Sequence, residues 1–351
     1  MTNDSDAADD PRLDRYRRQI RYAPLGAAGQ QNLLASRVLV CGSGALGCVV
    51  ADTLVRAGVG FVRLVDRDFV ETDNLHRQVL FDESDASAQL PKAVAAAARL
   101  GRVNSTVEIE PVVADLNASN IHQLAGDIQV IVDGTDNFET RYLLNDYAVA
   151  QAKPWIFGGC VGTEGQTIAI VPGETPCLAC IMPEPPPAAA QPTCETAGVL
   201  GPIVNVIASL QAMEALKLLS GNRHQLNPAL TIVDLWHNQI RSIGVGASRS
   251  SDCTTCGKQE FHWLEGRRGS AITRLCGRNS VQIAPETSEP VDLPALARRL
   301  GDLGRVTTNP FLLRLAVDDY LLTVFADGRT IVGGTDDPAV ARTVLAKYIG
   351  S

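Results

Sequence analysis

The run Arg37-Val-Leu-Val-Cys41, followed at once by Gly42-Ser-Gly44-Ala-Leu-Gly47, constrains the fold of this chain more than any other feature. A short apolar run predicts a buried strand, and the glycine-rich turn opens a helix reaching to about Ala57. A second apolar run, Phe61-Val-Arg-Leu-Val-Asp66, completes a βαβ opening. In such a turn Gly42 permits the tight bend, Gly44 lets the backbone approach a phosphate, and Gly47 lets helix and strand pack closely. The helix that starts there aims its N-terminal amides at an anion. Asp66 follows Gly47 by nineteen residues, where a carboxylate accepts hydrogen bonds from ribose hydroxyls. Taken alone, the pattern is that of an NAD site, and an ordinary dehydrogenase is one reading of it.

The alternation continues. Helices are expected over about 91–101, 118–125 and 138–151, and strands over about 107–113, at Val130-Ile-Val-Asp133 and at Trp155-Ile-Phe157. Strands and helices in this order predict an α/β, Rossmann-like, doubly wound and mostly parallel sheet. A strand at Gly165 to Val171 and an apolar helix over about 202–220 extend it, while the Pro- and Ala-rich stretch Met182 to Pro192 predicts a loop. Near the end, Tyr320 to Phe325 and Arg329 to Val332 flank Asp327-Gly328, a hairpin pattern, and Asp337-Pro338 opens a closing helix to about Tyr348. These features divide the chain into a disordered tail over 1–10, a large nucleotide-binding domain over 11–260 and a small α+β C-terminal domain over 261–351.

Composition narrows the partners. A formal net charge of -8 over 351 residues argues against nucleic acid and against an anionic membrane surface. The acidic, polar opening is the opposite of a signal peptide, and no apolar stretch is expected to span a bilayer, so a cytoplasmic protein is expected. Four of the nine cysteines form two C-x-x-C pairs, Cys177/Cys180 and Cys253/Cys256. Four thiolates in two hooks are the ligand set of a tetrahedral structural Zn²⁺. A redox C-x-x-C is the rival, although it has no need of a second pair.

Charged residues downstream of the glycine turn separate ATP from a dinucleotide. Asn74-Leu-His-Arg77-Gln78, Leu90-Pro-Lys92 and Asp133-Gly-Thr-Asp136-Asn137 follow in order. A triphosphate attacked at its α-phosphorus needs more cationic charge than a bound pyrophosphate does. Arg77 and Lys92 can supply it, and Asp136 suits a hydroxyl, a helix cap or Mg²⁺ beside the triphosphate.

These segments, with Arg15-Tyr-Arg-Arg18-Gln19, resemble the ThiF/MoeB-type adenylyltransferases, bacterial relatives of ubiquitin-activating enzymes, over roughly residues 11–260. The resemblance implies that Asp66 binds ribose, and that Asn74, Arg77, Gln78 and Lys92 surround the phosphates of ATP. It implies that Asp136 holds Mg²⁺ or positions the substrate carboxylate, and that Arg18 reaches the partner's ATP in a homodimer. The implied substrate is a ubiquitin-like sulfur-carrier protein ending in Gly-Gly, which a sulfur donor protein later converts to a thiocarboxylate. Ala45 departs from the family by standing where many members have a further glycine. Cys194, in Thr193-Cys-Glu-Thr-Ala-Gly198, matches a loop cysteine that in ThiF-type members can link covalently to the carrier. Cys276 is expected to be structural, since no loop like that of a rhodanese surrounds it. The short C-terminal part is similar to that of longer ThiF-type proteins, which favours a thiamine-pathway carrier and leaves a molybdopterin-pathway carrier as the alternative. A non-catalytic relative is the remaining reading, and it would be expected to have lost the phosphate-contacting residues.

Overall fold

The computed structural model describes residues 11–186, 196–268, 272–275, 279–283 and 291–350. The expected tail over 1–10, Cys194 and Cys276 lie outside the described residues. The chain divides into two compact units, Met1–Arg268 and Gly269–Ser351.

In the first unit α1 (Arg17–Ile20) and α2 (Gly26–Leu34) precede β1 (Arg37–Cys41), α3 (Ala45–Ala57) and β2 (Phe61–Asp66). Then come α4 (Glu83–Ser87), α5 (Lys92–Val103), β3 (Glu108–Val113), α6 (Ile121–Ala125), β4 (Val130–Asp133) and α7 (Phe138–Ala150). The unit continues through β5 (Trp155–Val161), β6 (Glu164–Ile170), α8 (Leu178–Ile181), α9 (Gly201–Leu219), β7 (Leu230–Asp234) and β8 (Gln239–Ile243). The eight strands form one sheet in the order β3-β2-β1-β4-β5-β6-β7-β8. Pairing is parallel from β3 to β5, each crossover being a helix, and antiparallel from β5 to β8. The switch to antiparallel follows from loop length. Only Gly162 and Thr163 separate β5 from β6, and Gly162 takes φ +62, so the chain reverses in a hairpin where a parallel return would need a long crossover.

Side-chain alternation on the strands builds a core on each face of the sheet. Val38 and Val40 of β1 pack into one cluster with Leu46, Leu54, Ile203 and Ile207 from α3 and α9. Leu39 and Cys41 pack into the other with Ile121, Tyr142, Leu144 and Leu178 from α6, α7 and α8. Helix α9 does reach the length and apolarity a bilayer span needs, contrary to expectation from the sequence. Half of its apolar window is buried within the fold, and its contacts run to α3, β4, β5 and β6, which accounts for the apolarity by core packing.

The second unit has β9 (Ile272–Leu275), β10 (Ser280–Ile283), α10 (Leu293–Leu300), β11 (Arg305–Thr308), β12 (Leu312–Val317), β13 (Tyr320–Phe325), β14 (Thr330–Gly333) and α11 (Pro338–Tyr348). Its strands form a fully antiparallel sheet in the order β11-β12-β13-β14-β10-β9. Val281, Leu315 and Val332 from the sheet and Leu296, Leu300 and Val344 from the helices share one core. The expected Asp327-Gly328 turn joins β13 to β14, with Gly328 at φ +84, and Asp337 caps α11 by accepting the Ala339 amide at 2.7 Å.

Two features of the first unit carry direct consequences for stability. Gly47 lies so close to the end of β1 that a Cβ there would stand 1.8 Å from the Gly42 carbonyl oxygen. Gly47→Ala is therefore expected to cost about 3 kcal/mol or more, read as a lower urea midpoint, because the obstacle is backbone and cannot rotate away. The second is Arg63 on β2, which donates to Glu110 at 2.9 Å and to Asp127 at 2.7 Å. The bond from Arg63 to Asp127, with Arg37 adding to it, draws the Asp127 carboxyl down from 3.8 to about 2. A depressed carboxyl stabilises the fold above its unfolded value and loses that contribution as pH falls through about 2. Urea unfolding between pH 4 and 2 is expected to show an acid limb that Asp127→Asn flattens. The effect is less than about 1 kcal/mol, since the Asp127 side chain is 44% exposed.

Candidate active site

The glycine turn sits where the strand order reverses, between β1 and β4, at their carboxyl ends. This is where open α/β sheets leave a crevice for ligands. The Gly42 amide donates to Val65 O and the Gly134 amide to Cys41 O, both at 2.7 Å, so the turn is clamped from both neighbouring strands. Gly42 takes φ +85, and a Cβ on it would stand 2.8 Å from Gly134 O. Gly44 differs from the other two. The nearest atom to a Cβ there would be Gly134 O at 4.0 Å, so this stretch of backbone faces open space. It is also the N-cap of α3, which no side chain caps. Positive helix-end charge and an accessible backbone therefore coincide at Gly44. Ala45 is the first residue of α3 and leaves this geometry intact.

Two carboxylates and a lysine line the next part of the site. Asp66 ends β2 and accepts the Ser43 amide at 2.5 Å and the Asp68 amide at 2.7 Å. Burial raises its pKa above the usual carboxylate range, and the positive charge of Lys92 opposes that rise. Lys92 begins α5 and is only 4% exposed. Its Nζ donates to Asp68 Oδ2 at 3.2 Å and its amide to Asp68 O at 2.9 Å. A buried ammonium is therefore fixed on a carboxylate whose own backbone is tied, through Asp66, to the glycine turn.

Asn74, Arg77 and Gln78 form a separate cluster around one oxygen. Asn74 Oδ1 accepts from Arg77 Nη2 at 2.9 Å and from Gln78 Nε2 at 3.0 Å, and Arg77 Nη1 donates to Asp73 O at 3.2 Å. No hydrogen bond among the described residues joins Arg77 to the glycine turn directly. Next to the turn, on α3, Cys48 Sγ donates to Ser43 O at 3.3 Å. Burial pushes the Cys48 thiol up to about 12, so it is an anchor and not a nucleophile.

Asp136 is exposed on the loop after β4. Behind it Asp133 is fully buried and accepts the Thr135 amide and hydroxyl at 2.8 and 2.7 Å. Arg141 holds the loop from α7, with Nη2 donating to Thr135 O at 2.8 Å and Gly158 O at 3.0 Å. Asp133, Arg141 and one further cation were not among the residues singled out from the sequence. The further cation is Arg67, paired with Asp115 at 3.1 and 3.3 Å. Burial works against its charge, but Asp115, Asp68, Asp136 and Asp66 outweigh it and raise its pKa. Its only sequence signal is its position between Asp66 and Asp68.

The N-terminal motif serves mainly as an anchor. Arg15 donates to Asn104, Asn104 Nδ2 donates to Tyr16 OH at 2.8 Å, and Gln19 Nε2 donates to Gln30 at 2.7 Å and to Ala57 O at 3.0 Å. Arg18, on α1, is exposed and makes no such bond among the described residues.

The two C-x-x-C hooks meet in space although 76 residues separate them. All four sulfurs lie within 4.8 Å of one another, with Cys177–Cys253 at 3.6 Å, Cys180–Cys256 at 3.3 Å and Cys177–Cys180 at 3.9 Å. A tetrahedral zinc about 2.3 Å from each sulfur would set them about 3.8 Å apart, so the cluster fits that ion. All four are free thiols, which removes a disulfide between the hooks.

Comparison with known proteins agrees with this geometry. Residues 16–255 match the ThiF family. The chain is 42% identical over 337 residues to the "Sulfur carrier protein ThiS adenylyltransferase" of Bacillus subtilis (strain 168), covering 96% of this chain and 99% of that one. It is 38% identical over 276 residues to "Adenylyltransferase and sulfurtransferase MOCS3" of Sus scrofa, covering 78% of this chain and 60% of that longer protein. Among solved structures it is similar to E. coli MccB with ATP, with a TM-score of 0.59 and 26% identity over 70% of this chain and 74% of that one. The chain belongs to the ThiF family.

Proposed function

We propose that this protein adenylates the C-terminal glycine of a ubiquitin-like sulfur-carrier protein at the expense of ATP. The observation that carries the reading is Lys92, a nearly buried ammonium bonded to Asp68 beside the Asp66–Ser43 contact. A dinucleotide turn has no use for such a cation, whereas a phosphorus atom under attack does. The carrier's carboxylate is already ionised at neutral pH, so no general base is required. Its oxygen attacks the α-phosphorus, pyrophosphate departs, and an acyl-adenylate results. Catalysis is then a matter of positioning and charge.

In this reading the open backbone at Gly44 and the N-terminus of α3 receive phosphate oxygens, and Asp66 takes the ribose hydroxyls. Lys92 and Arg77 leave their present carboxylate and carbonyl partners for the phosphates, with Asn74 and Gln78 steering the guanidinium. Asp136, exposed at the mouth and within electrostatic reach of Arg67, is the residue that would hold Mg²⁺. The metal would supply charge neutralisation on the departing pyrophosphate. The four thiols hold a structural zinc, since a closed set of four sulfurs offers no open position for catalysis. Four adjacent free thiols also suit the reducing cytoplasm. Arg18, exposed on α1, completes the partner's site in a homodimer, and a separate sulfur donor acts on the adenylate.

Coverage of relatives favours a carrier of the thiamine pathway over one of the molybdopterin pathway. The ThiS adenylyltransferase relative is matched over 99% of its length, while MOCS3, whose name adds a sulfurtransferase, is matched over 60%. Lys92→Ala and Arg77→Ala are each expected to lower carrier-dependent ATP–pyrophosphate exchange by about 10²- to 10³-fold, with an unchanged circular dichroism spectrum. Exchange at the unmodified rate in either variant would remove that residue from the phosphate site. Binding of NADH in preference to MgATP would remove the whole reading.

A further inference from the structure

Helix α7 carries a set of buried polar contacts that neither the nucleotide site nor the thiols explain by themselves. Asn145 and Asp146 are 0% and 1% exposed, a placement that is costly for polar groups unless each is bonded. Asn145 Oδ1 accepts the Leu178 amide at 2.7 Å, inside the first hook. Asp146 Oδ1 accepts the Thr255 hydroxyl at 3.0 Å, between the two cysteines of the second hook. Its other oxygen accepts the Trp263 amide at 2.9 Å, fixing the chain that leaves that hook. One helical turn earlier, Tyr142 OH donates to Met182 O at 2.6 Å, just past the first hook.

The opposite end of the same helix belongs to the nucleotide site. Asn137 caps α7 by accepting the Thr140 amide at 2.8 Å, immediately after Asp136. Arg141 bonds Thr135 O, inside the loop that presents Asp136. From Asn137 to Asp146 is nine residues, about 14 Å along the axis of a rigid helix. Both hooks and the Asp133–Asn137 loop are therefore bonded to one short helix.

We propose that α7 couples the metal cluster to the loop bearing Asp136, with Asp146 as the positioning residue that presets the second hook through Thr255. This rests on the reading of the four thiols as a zinc site. Side chains that orient metal ligands without touching the metal typically govern 10- to 100-fold in affinity, and a strained or loosened hook is passed along the helix to the loop.

The test uses the full-length, zinc-loaded protein. Zinc content is measured by mass spectrometry, zinc affinity by competition with a chromophoric chelator, and MgATP affinity by calorimetry. Thr255→Val keeps the shape but loses the hydroxyl, Thr255→Ser keeps the hydroxyl, and Asp146→Asn changes the acceptor itself. Thr255→Val and Asp146→Asn are expected to weaken zinc by about 10- to 100-fold and MgATP by about 2- to 30-fold, while Thr255→Ser behaves as the unmodified protein. Unchanged zinc affinity in folded Thr255→Val overturns the role of Asp146, and weakened zinc with unchanged MgATP overturns the coupling. An unmodified protein that holds no zinc removes the metal reading, and the proposal with it.

Discussion

The Gly42 carbonyl oxygen is the point around which the glycine-turn end of the first sheet is packed. A Cβ on Gly47 would stand 1.8 Å from it and one on Gly134 would stand 2.7 Å from it, so three backbone segments meet with no side chain between them. That approach sets the start of α3 against the end of β1 and lays the Asp136 loop beside both. Hydrogen bonds from Gly42 to β2 and from Gly134 to β1 lock the arrangement. The anion-attracting end of α3 and the carboxylate loop are thus held in place by backbone contacts before any charged side chain is considered.

Charge at this end of the sheet is distributed in a particular way. Arg67 is held by Asp115, and Lys92 is held by Asp68, with Asp66 and Asp136 near at hand. Burial works against the charge of each cation, and the carboxylate bonded to it offsets that cost. On the proposed reading, a phosphate chain entering here would exchange one set of anionic partners for another, so the desolvation of the cations is already met by the fold. Arg77 follows a different principle, being parked on the neutral oxygens of Asn74 and Asp73, from which it can be drawn away at lower cost.

Distance in sequence conceals the second organising element. Cys177 and Cys253 are 76 positions apart yet 3.6 Å apart in space, and α7 supplies a bond to each of their hooks. The segment after the second hook stays with the first unit because Asp146 accepts its Trp263 amide. One helix is therefore bonded both to the two hooks and to the loop that presents Asp136.

Much of the first unit was legible in the residues. The glycine spacing, the apolar runs of β1, β2 and β4, and the C-x-x-C pairs depend on local rules of backbone freedom, alternation and ligand spacing, all of which act within a few residues. The strands β7, β8, β11 and β12 were not legible. β8 is exposed along its whole length and β11 nearly so, and neither shows the apolar alternation that burial imposes. Nor did the sequence disclose Arg67, Arg141 or Asp146, whose importance lies in partners 48, 17 and 109 residues away. The chain by itself determined which backbone segments could bend, bury or bind metal. Only the tertiary structure decided which charges those segments bring together, because a buried ion pair is selected by proximity across the sheet and leaves no period along the sequence.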